Sequence, residues 1–430
     1  MRRWSVRALS LWMLLLGLLV PIPAGDKKAD KPPRTGNNDA NLASFDGMME
    51  RFVIDNEVPG AALAVAKDGK LVYARGFGYA DPDAKTPVQP RSKFRIASIS
   101  KPITAAAILR LIEMGKLKLD DHAFDLLKLA PPAMAEVDPR LHKVTIRELL
   151  QHTAGFDRDK SFDPMFRPII IAKALGTPPP ADPEHIVRYM LGHKLDFDPG
   201  ARYAYSNFGY CVLGRVIEKV SGKSYGAFVH DAVLKPLAMN DTQLGKTLER
   251  AKGEVKYHDL NERVGPAVIG PQRGKNPVPL EYGGWYLEAM DAHGGWISSA
   301  PDLVRFGSSL DDSKKCPILT ADSIRTMFAR PQGKAGENKK GEPANPYYGC
   351  GWQVRVVDSA RGAIDTWHTG SLDGTSTILV RRSDGLCWVV LFNARENRKG
   401  QTLAKLIDPL VHHAADKVKQ WPNRDLFKKG

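Results

Sequence analysis

SISKPITAAAILRLIEMG, residues 98–115, is the stretch on which the reading of this chain turns. Apolar residues fall in nearly every direction around a helical projection, which predicts a central helix buried on all sides rather than an amphipathic surface helix. Pro102 is compatible with it, because in the first turn of a helix a missing N–H costs little. Ser98 opens the helix, and Lys101 lies three residues on, one turn along the same side. A serine hydroxyl is nearly inert at neutral pH and needs a neighbouring base. An amine buried beneath a sheet has a lowered pKa and can accept the proton. The free N–H groups at a helix N-terminus favour negative charge, so the Ser98 N–H suits one half of an oxyanion hole. S-x-x-K specifies only two positions, and in most contexts it reads as a helix cap followed by a surface lysine. Here it occurs once, and it opens the one helix apolar enough to be central.

Working outward, residues 60–67 (GAALAVAK) and 70–79 (KLVYARGFGY) read as strands joined by the hairpin turn Asp68-Gly69. Residues 40–56 before them read as a helix with Leu42, Phe45, Met48, Met49 and Phe52 on one face. Strand patterns return at 347–357, 363–368, 375–382 and 386–393, the last two joined around Asp384-Gly385, and a final helix covers 401–418. This order predicts an α+β, sandwich-like fold: an antiparallel sheet formed from both chain ends, flanked by helices. The sheet lobe takes residues 40–115 and 300–420. Residues 116–299, short helical patterns among Pro/Gly loops, form an inserted, mostly helical lobe.

The 430-residue chain begins with Arg2, Arg3 and Arg7, then the apolar run ALSLWMLLLGLLV (8–20) and a small-residue boundary at Ala24. The run is too short to span a bilayer, and the pattern predicts a cleaved signal peptide over 1–24 and a secreted or periplasmic protein. Residues 25–39, polar and broken by Pro and Gly, are expected to be a flexible leader to a folded domain spanning 40–420. The formal charge of +14 is dispersed, with no basic run interleaved with aromatics, which excludes a nucleic-acid partner. Cys211, Cys316, Cys350 and Cys387 show no CxxC spacing, and no HExxH or Cys/His cluster calls for a metal. A Cys350–Cys387 bridge and four free thiols both fit the sequence.

Two further elements carry chemistry. Tyr205-Ser206-Asn207 lies between the Pro199-Gly200 turn and a helical pattern starting at Phe208. A phenol near a lysine can be held partly ionised and relay a proton, and the Asn207 amide can pair with a substrate amide. His368-Thr369-Gly370 ends a strand. The glycine would let a substrate lie along the strand edge, Thr369 offers a hydroxyl, and the Ser371 N–H would complete the oxyanion hole. His152, ending a short amphipathic helix, reads as a structural hydrogen-bonding histidine rather than a triad member.

Together, Ser98-x-x-Lys101, Tyr205-x-Asn207 and His368-Thr369-Gly370, in this order, resemble the serine β-lactamase-related and penicillin-binding-protein family. Segments 145–156 (TIRELLQHTAGF), 294–299 (GGWISS) and 348–352 (YGCGW) carry the likeness further, over residues 40–393. The resemblance implies a serine hydrolase that forms an acyl-enzyme on Ser98. Lys101 and Tyr205 would be catalytic, with Asn207, His368, Thr369, Gly370 and Ser371 binding substrate, and no cofactor is required. It implies a small-molecule or peptide substrate with an ester or amide bond, cell-wall fragments among the candidates, and the activity of an esterase, D,D-carboxypeptidase or weak β-lactamase. The family's third motif usually begins with Lys. His368, mostly neutral at pH 7, tilts the reading away from a potent β-lactamase. A penicillin sensor without turnover is the rival reading, but such a chain would ordinarily have lost Ser98, Lys101 or Tyr205.

Overall fold

The strand Gly60–Lys67 is buried at every position but the last because both faces of its sheet are covered. In the structure, a computed structural model that describes residues 31–428, the main sheet comprises β1 (Arg34–Gly36), β2 (Gly60–Lys67), β3 (Lys70–Asp81), β4 (Tyr347–Tyr348), β5 (Gln353–Asp358), β6 (Ala363–Leu372), β7 (Thr375–Arg381) and β8 (Leu386–Phe392). Their spatial order is β1-β3-β2-β8-β7-β6-β5-β4, every neighbouring pair antiparallel. Strand β2 lies beside β8, with Ala62 opposite Leu391 and Val65 opposite Trp388, so the two ends of the chain meet inside one sheet.

Alternation along the strands sorts side chains between two layers. Leu63, Val65, Trp388 and Val390 pack against the terminal helices α1 (Ala43–Asp55) and α5 (Leu403–Asp416), through Phe45, Met49, Phe52, Ile407 and Val411. On the other face Ala62, Ala64, Val389 and Leu391 join the core formed by α2 (Ser100–Glu113), α3 (Asn207–Ser221) and α4 (Ala300–Ser309). Each large apolar side chain so buried contributes roughly 1.5–3 kcal/mol. Helix α2 is buried at every position from Ser100 to Leu109, so Lys101 is carried into the interior with no direction leading to solvent.

Several expectations shift. The signal peptide and the first part of the leader lie outside the described residues. The leader also ends earlier than expected: Arg34–Gly36 pairs with β3, anchored by Arg34 to Glu50 at 2.7 Å and by the Thr35 hydroxyl to the Val88 carbonyl. The domain continues past 420, where Arg424 donates to the Val72 carbonyl at 3.0 Å and the Leu71 N–H donates to Asp425 at 3.2 Å. The second half of the inserted region is less helical than expected. Its Pro- and Gly-rich sequence forms loops, short turns and small two- and three-stranded sheets instead. All four cysteines are free: Cys211, Cys350 and Cys387 are buried, and Cys316 is half-buried.

Candidate active site

Ser98 sits in a 3-10 turn, Ala97–Ile99, that leads into α2, two residues before the α-helix proper begins. Ala97 before it takes φ +46°, a left-handed conformation that costs a residue with a Cβ roughly 1 kcal/mol or more. The surroundings impose that strain. Ile96 donates its N–H to the Trp296 carbonyl at 3.0 Å, which gives the 294–299 segment its role. The hydroxyls of Thr375 and Thr377 on β7 donate to the carbonyls of Arg95 (2.8 Å) and Ile96 (3.0 Å). Among the described residues the Ser98 N–H donates to no backbone carbonyl, as an oxyanion donor requires.

The Lys101 Nζ has three polar neighbours: Ser98 Oγ at 3.1 Å, Asn207 Oδ1 at 2.8 Å and the His293 carbonyl at 3.1 Å. Burial, reinforced by the Arg158 charge and opposed by Asp163, holds its pKa well below the ordinary lysine value. A neutral amine has two N–H donors and one lone pair. Two of the neighbours, an amide oxygen and a carbonyl, can only accept. They take the two hydrogens, and the lone pair faces the one neighbour able to donate, the Ser98 hydroxyl. The Asn207 amide is oriented in turn by Asp163, whose Oδ2 accepts from Asn207 Nδ2 at 2.7 Å. Asp163 itself caps the turn Pro164–Phe166 by accepting from the Met165 N–H at 3.1 Å.

Tyr205 lies beside this pair, its ring centroid 4.7 Å from Lys101 Nζ and 4.4 Å from the His152 ring. Burial pushes its phenol well above the usual tyrosine value, an effect that the neighbouring Ser98 hydroxyl and the Arg158 charge only partly offset. Tyr205 is therefore a protonated donor at neutral pH, not the partly ionised phenol expected. His152 is structural, as expected. It is buried and desolvation holds its pKa well below the ordinary histidine value, and its Nδ1 accepts the Ser206 N–H at 3.2 Å, which fixes the Tyr205–Asn207 segment. Ser206 caps α3 and Asn207 is that helix's first residue, so Asn207 is not on the loop expected for it.

The third motif departs further from expectation. Strand β6 runs through Leu372, so His368, Thr369, Gly370 and Ser371 lie within it rather than at its end. His368 is buried, shares a hydrogen bond with the Tyr348 hydroxyl at 2.9 Å and another with the Thr369 carbonyl at 2.7 Å, and burial drops its pKa to about 3. It supplies no charge. Thr369 lines a separate groove with Trp367, Ser371, Thr402, Lys405 and Asp408 and is not part of the lining of the cavity at Ser98. Gly370 serves packing: a Cβ there would lie 2.2 Å from the Ile96 carbonyl oxygen and 2.3 Å from Thr377 Oγ1. Ser371 does reach the site. Strand β5 pairs with β6 only as far as Trp367, so beyond that point the outer edge of β6 is open.

A cavity of about 220 Å³ opens at Ser98, bordered by Arg158, Phe166, Asn207, His293, Ser371 and Arg395. Sequence reasoning missed Arg158, Asp163 and His293. Arg158 and Asp163 lie in a loop, 157–163, with no periodicity or motif to mark them. His293 immediately precedes the recognised 294–299 segment and contributes its backbone carbonyl to Lys101, a role no side-chain pattern encodes.

Comparison with known proteins identifies the family and the fold. Residues 45–411 match the family model described as Beta-lactamase. Esterase EstB of Burkholderia gladioli is 28% identical over 393 residues, covering 86% of this chain and 95% of the esterase. Protein flp of Staphylococcus aureus (strain N315) is 26% identical over 373 residues, covering 86% of this chain, which spans 66% of the length of flp. Among solved structures, an octameric penicillin-binding protein homologue from Pyrococcus abyssi superposes with a TM-score of 0.64 at 26% identity, over 86% of this chain and 77% of that one. The D-amino acid amidase of Ochrobactrum anthropi SV3 shares the fold, with a TM-score of 0.67 at 21% identity over 89% of this chain and 99% of the amidase. The chain belongs to the β-lactamase family of serine hydrolases.

Proposed function

We propose that the protein is an exported hydrolase of small esters or amides that works through an acyl-enzyme on Ser98. The observation that carries this reading is the Lys101 amine, 3.1 Å from Ser98 Oγ and buried, with both hydrogens committed to acceptors. Ser98 Oγ attacks the substrate carbonyl carbon as its proton passes to the Lys101 lone pair. The oxyanion forms against the N–H groups of Ser98 and Ser371, worth about 3–4 kcal/mol per donor in other hydrolases. The tetrahedral intermediate collapses, and the leaving group takes a proton from the Tyr205 hydroxyl, which is refilled from the Lys101 ammonium. Water then enters, gives its proton to the restored Lys101 amine and attacks the acyl carbon; as the C–Oγ bond breaks, the Lys101 ammonium returns that proton to Ser98 Oγ, which frees the acid product and restores the starting state. Esterase chemistry is favoured over potent β-lactamase chemistry because His368 is uncharged and turned into a hydrogen bond with Tyr348. Export rests on the N-terminal pattern of arginines, apolar run and small-residue boundary.

The test is a turnover panel with 4-nitrophenyl butyrate, nitrocefin and a D-alanyl-D-alanine peptide, run on the wild type and Ser98→Ala. Multiple turnover of the butyrate by the wild type, lost in Ser98→Ala, is expected. Stoichiometric acylation without release would instead favour a binding or sensor protein.

A further inference from the structure

The Ser98 cavity has a charge pattern that the hydrolytic reading leaves unused. Lys101, His293 and His368 are all driven toward their neutral forms by burial. Arg395, at one side, is committed to Asp373 at 2.9 Å and Glu396 at 3.1 Å. Arg158 is not committed in this way. Its guanidinium stacks 4.7 Å from the Tyr205 ring centroid, and the nearest carboxylates, Asp159 at 3.7 Å and Asp163 at 4.0 Å, are beyond hydrogen-bond length. Asp163 meanwhile accepts from Asn207 and Met165. Among the described residues no hydrogen bond to the Arg158 guanidinium is formed, so its N–H groups remain available at the rim of the cavity that holds Ser98. A planar guanidinium held on an aromatic face, with its polar edge open, is suited to bidentate recognition of a carboxylate. Phe166, 44% exposed at the same cavity, gives an apolar wall for the carbon skeleton between the carboxylate and the scissile bond.

We propose that Arg158 is the site's carboxylate receptor, so that the preferred substrates are esters or amides carrying a carboxylate on the acyl or the leaving side. This rests on Ser98 being the nucleophile.

The experiment compares matched substrate pairs. For the acyl side these are 4-nitrophenyl hemiglutarate and 4-nitrophenyl valerate; for the leaving side, 4-carboxyphenyl butyrate and phenyl butyrate. The readout is the ratio of kcat/KM for the charged member to that for the neutral one. In the wild type this ratio should exceed one for at least one pair, which also identifies the side. Arg158→Gln should lower the ratio about tenfold or more, as expected when a charged hydrogen bond is lost from a substrate group. Arg158→Lys should fall between the two, and Arg158→Glu should invert the preference. A wild-type ratio at or below one for both pairs overturns the proposal. So does a ratio that Arg158→Gln leaves within twofold. If neither member of any pair acylates Ser98, the nucleophile assignment fails as well. Turnover of neutral esters with an insensitive ratio sinks only the role of Arg158.

Discussion

Replacing Gly370 with alanine adds one methyl group where strand β6 crosses the segment leading to Ser98. Gly370 is not in the left-handed region, so alanine is conformationally permitted and the perturbation is purely one of space. The new Cβ would sit 2.2 Å from the Ile96 carbonyl oxygen and 2.3 Å from Thr377 Oγ1, and those two atoms already hydrogen-bond to each other at 3.0 Å. Ordinary contact distances require the gap to open by roughly 1 Å. The clash falls both on Thr377 of the paired strand β7 and on the Ile96 carbonyl, and whatever share the Ile96 segment takes displaces the adjoining Ser98. Overpacking of this kind costs about 1–3 kcal/mol, and a displacement of about 1 Å at a nucleophile costs about a hundredfold in rate. Gly370→Ala should therefore lower the Tm by a few degrees and kcat/KM for 4-nitrophenyl butyrate by about a hundredfold. Thermal unfolding and steady-state kinetics on the purified variant read both. A variant within one degree and twofold of the wild type would refute the claim that this glycine sets the position of Ser98.

Other consequences follow from the same geometry. Lys101→Met should abolish turnover yet change the pH dependence of stability. The folded-state pKa of Lys101 lies below its unfolded value, so the unfolded chain binds the extra proton and the wild type loses stability as pH falls between the two. The Tm difference, variant minus wild type, should therefore grow from pH 9 to pH 6, and a constant difference would contradict a neutral Lys101. Asp163→Leu removes the acceptor that orients the Asn207 amide and should lower kcat roughly tenfold to a hundredfold. Asp163→Asn, which keeps an acceptor oxygen, should recover part of that loss, and equal losses in the two variants would show that amide orientation is irrelevant. Tyr205→Phe keeps the ring against His152 but removes the proton donor, and kcat should fall by about 10²–10⁴-fold. An unchanged kcat would remove Tyr205 from the proton path.

The sequence announced the sheet because its signals are local. Alternation, the Asp68-Gly69 and Asp384-Gly385 turns, and a helix apolar on every side all report burial directly. Ser98 and Lys101 were legible for the same reason, three residues apart where a 3-10 turn runs into one buried helix, and Tyr205 and Asn207 do converge on them from a distant segment. What remained hidden is long-range. The carbonyl of His293 serves Lys101 through its backbone, which no residue type reveals. Arg158 and Asp163 sit on a loop whose path depends on the rest of the fold. Thr369 was assigned to the site because motif order does not reveal which of two neighbouring cavities a residue lines. The Arg34–Gly36 pairing escaped a compositional reading, since a three-residue edge strand has too few side chains to show a pattern.

The account stands on a neutral amine facing the Ser98 hydroxyl, and the pH dependence of Ser98 acylation measures that state. The rate of fluorophosphonate labelling, followed by intact mass from pH 5 to pH 10.5, should rise along a single acid limb and level off well below the ordinary lysine value, with the limb absent in Lys101→Ala. A rate that keeps climbing to pH 10.5, or an adduct that forms equally in Ser98→Ala, would contradict it.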